Sequence, residues 1–228
     1  PAASDVVTGG TSGATCVLSS GTPTDTGCIW EGQCQNQEFS GTGVQCTIVG
    51  STASGTTYKS LTTVAGASFS DNANVQTNAL QYNSSNGAAI RGTSNNAATV
   101  VPQESGCIVA NLQITGTGTG GRAVVGSTTT NPMSFNNLIM EGKYTVTSTI
   151  VGVFYPANGI TRNCVIIQRA SGADHIVGTG TASPSFYNCT IVAPDDLATA
   201  PTSIFLSSSS GTVTTQNCAM FAGDSTKA

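Results

Sequence analysis

The stretch Phe186-Tyr187-Asn188-Cys189-Thr190-Ile191-Val192 decides the fold, because its outline returns along the chain. Asn-Cys stands at Asn163-Cys164, Asn188-Cys189 and Asn217-Cys218, each time behind polar or aromatic residues and ahead of a short apolar run. Lining up the second residue of each pair adds two earlier members. They are Asn137 in Ser134-Phe135-Asn136-Asn137-Leu138-Ile139-Met140 and Asn111 in Ala110-Asn111-Leu112-Gln113-Ile114. The steps are 26 residues from Asn111 to Asn137, 27 from Asn137 to Cys164, 25 from Cys164 to Cys189 and 29 from Cys189 to Cys218. A repeat of that length, rich in strand formers and without a helical period, is the signature of a coiled stack of strands.

Composition supports a folded β protein. Only 8% of the 228 residues are charged, against about a quarter in an ordinary globular domain, and Gly, Ser, Thr and Asn fill the space. Yet 38% are hydrophobic, with the Val, Ile and Thr that disordered chains lack. The net charge of −4 and scattered basic residues argue against nucleic-acid binding, which needs clustered Lys and Arg. No apolar run reaches the roughly 20 residues that span a bilayer. The start Pro1-Ala2-Ala3-Ser4-Asp5 lacks a signal-peptide pattern and fits removal of an initiator Met from a chain made in the cytoplasm.

Two regions are expected. Residues 1–57 alternate brief apolar runs with Gly, Ser, Thr and Pro, and read as a Cys-containing segment of short strands and turns that caps or anchors the rest. Residues 58–228 read as the stack. Further strands are expected at Arg122 to Val125, Thr149 to Tyr155, His175 to Val177 and Ser203 to Leu206, turns at Asn83 to Gly87 and Ser94 to Asn96, and a short helix over Ala73 to Leu80. Several short strands per repeat with no helix between them exclude a βαβ fold. They suit a solenoid whose successive coils pair in parallel at about 4.8 Å.

The marked positions follow from that geometry. Asn suits a sharp bend because it tolerates the left-handed region, and stacked amides can bond one another between coils. The structural ladder is therefore Asn111, Asn137, Asn163, Asn188 and Asn217, with Cys164, Cys189 and Cys218 beside it. Ile166, Ile191 and Met220 form one row along the strand, with Ile139 in the same place as Ile166. Val165, Thr190 and Ala219 form the opposite row.

These residues, above all Phe186-Tyr187-Asn188-Cys189-Thr190-Ile191-Val192, resemble the right-handed parallel β-helix superfamily of pectate lyases, polygalacturonases and bacteriophage tailspikes. The likeness covers about residues 105–222. Tyr58-Lys59-Ser60-Leu61 ahead of a Gly/Asn-rich run is similar to the opening of phage-encoded β-helix virion proteins. The resemblance implies an all-β fold, a short right-handed parallel β-helix, and association of subunits, as trimers in that style of protein. It does not settle chemistry, since enzymes and inert structural proteins share the architecture.

Candidate chemistry is sparse. Polysaccharide cleavage needs paired carboxylates or a calcium-binding set, yet only Asp195-Asp196 are adjacent and they follow Pro194 in a turn. Asp174-His175 holds the one histidine, but neighbours on a strand face opposite ways. Arg162 and Arg169 flank one strand and read as solvated arginines. No catalytic residue, metal or cofactor is expected. Cys16, Cys28, Cys34 and Cys46 are spaced 12, 6 and 12 apart without the close pair zinc favours. They are candidate disulfide cysteines in an oxidising compartment, with three pairings open. Cys164, Cys189 and Cys218 read as buried thiols, and Cys107 as a residue that reaches the N-terminal region or a second subunit.

The expected function is a structural component of a bacteriophage virion: a capsid decoration, collar or fibre protein. It would bind other virion proteins of the capsid, collar or tail and form homo-oligomers, without nucleic acid or membrane as partner. The alternative is a tailspike-like protein that binds or cleaves bacterial surface polysaccharide, with Trp30, Tyr144, Phe154, Tyr155 and Tyr187 as stacking candidates. A third is an extracellular adhesin or pectin-lyase-like protein.

Overall fold

The structure, a computed structural model, describes residues 5–8, 15–18, 29–49, 58–72, 80–126, 132–143, 152–169, 175–193, 203–207 and 211–221. Strands β1 (Asp5–Thr8) and β2 (Thr15–Leu18) come first. The coils then follow, each with one strand in each of three sheets. The first is β3 (Ile29–Cys34), β4 (Glu38–Gly41) and β5 (Cys46–Ile48). The second is β6 (Tyr58–Thr63), then the single-turn helix α1 (Phe69–Asn72), β7 (Ala89–Gly92) and β8 (Ala98–Pro102). The third is β9 (Ile108–Ala110), β10 (Gln113–Gly116) and β11 (Arg122–Val125), and the fourth β12 (Ser134–Asn136), β13 (Ile139–Gly142) and β14 (Phe154–Tyr155). The fifth is β15 (Ile160–Arg162), β16 (Val165–Gln168) and β17 (His175–Gly180), and the sixth β18 (Ser185–Tyr187), β19 (Thr190–Val192) and β20 (Ser203–Ser207). Strands β21 (Thr214–Gln216) and β22 (Ala219–Phe221) begin a seventh.

From β3 onward every strand pairs in parallel with its counterparts above and below, so the chain is a parallel β-solenoid. Seven strands at the usual spacing give the first sheet's parallel part a height of about 29 Å. The stack starts earlier than residue 58: β3, β4 and β5 pair in register with β6, β7 and β8. Ahead of them, β1 and β2 form an antiparallel hairpin that pairs on β3 through Val17↔Gln33 and Leu18↔Gly32. The expected helix over Ala73 to Leu80 falls mostly on residues 73–79, outside the described residues. The helix that is described, α1, ends just before them.

Register corrects one alignment made from sequence. Asn136 pairs with Arg162 and Ile139 with Val165, so Asn137 stands over Asn163 and Leu138 over Cys164. The step from the fourth coil to the fifth is therefore 26 residues, from Asn137 to Asn163. Met140, not Ile139, shares a row with Ile166. The slip matters because moving by one residue sends a strand side chain to the other face.

The interior holds the alternate residues. Ile90, Ile114, Met140, Ile166 and Ile191 line one wall, and Val100, Val124, Phe154 and Val177 another. Phe135, Phe154, Phe186 and Phe205 make a chain of rings, with centroids 5.0, 6.3 and 5.3 Å apart in that order and the first two contacts edge-on. Thr161 lies between Phe135 and Phe186 in the first-sheet row. Its small size leaves room for Phe154 to reach Phe186, but its hydroxyl is fully buried with no hydrogen-bond partner among the described residues.

Where the second sheet turns into the third, Gly41, Gly92, Gly116 and Gly142 stack on one another. A Cβ on Gly92 would lie 2.5 Å from Thr99 Oγ1, and one on Gly116 2.5 Å from the Arg122 nitrogen. At Gly116 the neighbouring backbone leaves no room for a side chain, whereas in the fifth coil the buried Gln168 takes the corresponding place.

An unpartnered buried hydroxyl costs on the order of 1–3 kcal/mol. Thr161→Val removes it at nearly constant volume, and urea unfolding of that variant is expected to show a gain of about 1 kcal/mol. A loss would mean that the hydroxyl is engaged.

Candidate functional site

The ladder residues mark the bend between the first and second sheets. Asn111, Asn137, Asn163, Asn188 and Asn217 all take positive φ, between 53° and 62°, the left-handed region that Asn enters more readily than other side-chain-bearing residues. At each bend the backbone bonds both ways. The Asn163 N–H donates to Tyr187 O of the next coil, and the Val165 N–H, two residues on, donates to Leu138 O of the previous one. Side-chain amides add links: Asn137 Nδ2 donates to Asn111 Oδ1 at 2.9 Å, Asn188 Nδ2 to Asn163 Oδ1 at 3.3 Å, and Asn111 Nδ2 to Thr62 Oγ1 at 3.2 Å.

The residue after each Asn turns inward: Leu112, Leu138, Cys164, Cys189 and Cys218. The three thiols repeat one geometry. Each donates to the carbonyl two residues before it and to a carbonyl of the coil above. Cys164 reaches Arg162 O at 3.1 Å and Phe135 O at 3.6 Å. Cys189 reaches Tyr187 O at 3.3 Å and Thr161 O at 3.7 Å, and Cys218 reaches Gln216 O at 3.4 Å and Phe186 O at 3.6 Å. Burial pushes the Cys164 thiol well above its ordinary range. The hydrogen bond from Cys164 is the main cause that holds Cys189 lower, at about 7.

No disulfide joins Cys34, Cys46, Cys107, Cys164, Cys189 or Cys218. Cys28 and the side chain of Cys16 lie outside the described residues. Cys107 is fully buried in the core cluster, and burial raises its thiol to about 11.

Sequence reasoning missed the outer face of the second sheet. Ala89, Gln113 and Ile139 occupy outward positions, opposite in phase to the core row, yet each is buried. Residues 64–88 separate β6 from β7, and their described last part, 80–88, crosses this face as a strap. Gln113 fixes it. The Asn83 N–H donates to Gln113 Oε1 at 2.9 Å, and Gln113 Nε2 donates to Asn83 O at 3.0 Å and Asn86 O at 2.8 Å. A side-chain amide thus imitates a strand edge.

Charged clamps flank that contact. Tyr82 Oη donates to Glu38 Oε1 at 2.6 Å, and Glu38 Oε2 pairs with Arg91 at 2.9 Å. Arg169 pairs with Glu141 at 3.1 Å and donates to Gln81 Oε1 at 3.1 Å. Arg169 is therefore not simply solvated. It ties the fifth coil to the strap. Each carboxylate here faces a guanidinium, so the pairs neutralise one another, and partly exposed pairs of this kind position chain more than they stabilise it. Burial, then the bond to Glu38, raises the Tyr82 phenol above its usual range. At the opposite corner Lys59 pairs with the buried Glu104 at 3.3 Å.

Other sequence candidates scatter. Arg162 is exposed on the first sheet, its guanidinium 5.3 Å from the Tyr187 ring centroid. Phe154 and Tyr155 are buried. His175 opens β17, but its side chain, that of Trp30, and residues Tyr144, Asp174, Asp195 and Asp196 lie outside the described residues. Among the described residues no group of three or more His, Cys, Asp or Glu side chains is arranged to hold a metal ion, and no helix is long and apolar enough to cross a membrane.

No protein-family model, no curated protein and no solved structure matches the chain. What is shown is the architecture: a parallel β-solenoid of the β-helix kind.

Two outcomes test these features. Asn137→Gly keeps the bend and loses only the amide bond, about 1 kcal/mol, whereas Asn137→Ala adds roughly 1–2 kcal/mol for the left-handed backbone. Chemical denaturation is expected to rank wild type above Gly above Ala. The second concerns alkali. Cys107 ionises near 9.0 when unfolded and near 11 when folded, and Tyr82 is shifted upward from 10.0. The folded state therefore holds protons that the unfolded chain releases first. That stability is intact below pH about 9 and declines as pH rises through 9 to 11. Cys107→Ala and Tyr82→Phe should flatten the decline in melting temperature measured across that window.

Proposed function

We propose that the chain is a structural, non-enzymatic component of a bacteriophage virion, a capsid decoration, collar or fibre protein that binds other virion proteins and stabilises the particle. The observation that carries this reading is the last described coil. Thr214, Thr215, Gln216, Asn217, Ala219 and Phe221 are exposed, Phe221 at 59%. Beneath them Val213, Cys218, Met220 and Phe205 are only partly buried against the core. Residues 214–221 carry no charge. An uncharged surface with an exposed ring suits a partner chain, and a rod held by ladders suits mechanical service. The likeness of its coils to phage β-helix proteins supplies the setting, and with it subunit association, trimeric in that style.

The polysaccharide reading draws on a different observation, the Arg162–Tyr187 pair on the outer face of the first sheet. A half-buried ring with an exposed cation against it is a surface on which a sugar can stack.

Mass spectrometry of purified phage particles from the source of this sequence is expected to find the chain at a fixed ratio to the capsid protein. Its absence from particles overturns the virion assignment. Light scattering should show a multiple of 22.8 kDa for the purified chain and a shift toward that mass for Phe221→Asp. Saturable binding of a host polysaccharide, lost in Tyr187→Ala, would establish the second reading instead.

A further inference from the structure

The thiol column ends in an arrangement that the solenoid does not require. Leu112 and Leu138 fill the same inward position in earlier coils, so apolar bulk alone suffices there. Thr190 pairs with Ala219, and the Ala219 N–H donates to Cys189 O at 2.9 Å. Cys189 and Cys218 therefore hold equivalent places in adjacent coils. Parallel neighbours lie about 4.8 Å apart, inside the roughly 4.4–6.8 Å Cα window for a disulfide.

The two thiols flank one strand: Cys189 Sγ lies 3.3 Å from Tyr187 O, and Cys218 Sγ lies 3.6 Å from Phe186 O. A side-chain hydrogen bond from Cys218 reaches Cys189. Access differs along the column. Cys164 and Cys189 are each 1% exposed, whereas Cys218, in the last described coil, is half-buried.

We propose that Cys189 and Cys218 are an oxidation site: a hydroperoxide converts them to a disulfide that bolts the last described coil to the one before it. The Cys218 thiolate attacks the peroxide, forming a sulfur–oxygen bond as the oxygen–oxygen bond breaks, and water or an alcohol leaves. The Cys189 sulfur then attacks Cys218 sulfur. The sulfur–sulfur bond forms, the sulfenic hydroxide departs, and it takes the Cys189 proton as a second water. Two thiols are oxidised and one peroxide is reduced. The lowered Cys189 thiol favours the second step, and its burial keeps it from reacting first. Cys164, buried and held protonated, stays a thiol, which is why a column of three needs no fourth member.

The test is peptide mapping without reduction. The folded protein is treated with hydrogen peroxide, quenched, unfolded in iodoacetamide and digested. The expected product is a Cys189–Cys218 linked peptide in a monomeric chain, with Cys164 alkylated. The link should vanish in Cys218→Ser and persist in Cys164→Ala, each checked for a native β circular dichroism signal. A Cys218 sulfinic or sulfonic acid beside alkylated Cys189, a Cys164–Cys189 link, or a Cys218–Cys218 link between chains would each overturn the proposal.

Discussion

In-register stacking of one coil on the next is the constraint on which everything else in this molecule rests. A coil cannot satisfy its own backbone. Its donors and acceptors point up and down the rod, as the Asn163 and Val165 N–H groups do at a single bend. Because every coil must meet its neighbours in three sheets at once, a slip in one sheet breaks the other two. The register is thereby fixed three times over, and side chains fall into rows whose members must suit one another in size and polarity.

Those rows explain what was legible in the sequence. The Asn row stands out because few residues other than glycine take a positive φ cheaply, so the bend writes the same letter in five coils. The inward row beside it is less legible, since Leu and Cys fill it equally well. Because of that ambiguity, sequence alone places Asn137 level with Cys164, where the strands pair it with Asn163. At the bends of the first two coils stand Asn36, which does not take a positive φ, and Gly87, which does, and Ser60 and Ile108, paired across β6 and β9, are 48 residues apart because the strap intervenes. A period of about 26 cannot be read through such an interruption, so from sequence the coil from Ile29 to Ile48 reads as a separate segment.

The strap itself was hidden for a different reason. Gln113 looks like an ordinary outward polar residue until the chain that covers it is known, and its amide is then wholly committed to Asn83 and Asn86. Likewise Arg169, read as a solvated cation, turns out to join Glu141 and Gln81. Long-range partners of this kind leave no local trace. Charge has a related use here: among the described residues Lys59–Glu104, Arg91–Glu38 and Arg169–Glu141 each join segments far apart in sequence.

The antiparallel hairpin gives the first sheet a mixed character. Strand β3 meets β2 antiparallel on one flank and β6 parallel on the other, so the sheet changes its sense of direction at that one strand. A hairpin satisfies its backbone across a single sheet, whereas a coil needs three, and β3 therefore joins two kinds of order: one closed locally by β1 and β2, the other propagated layer upon layer.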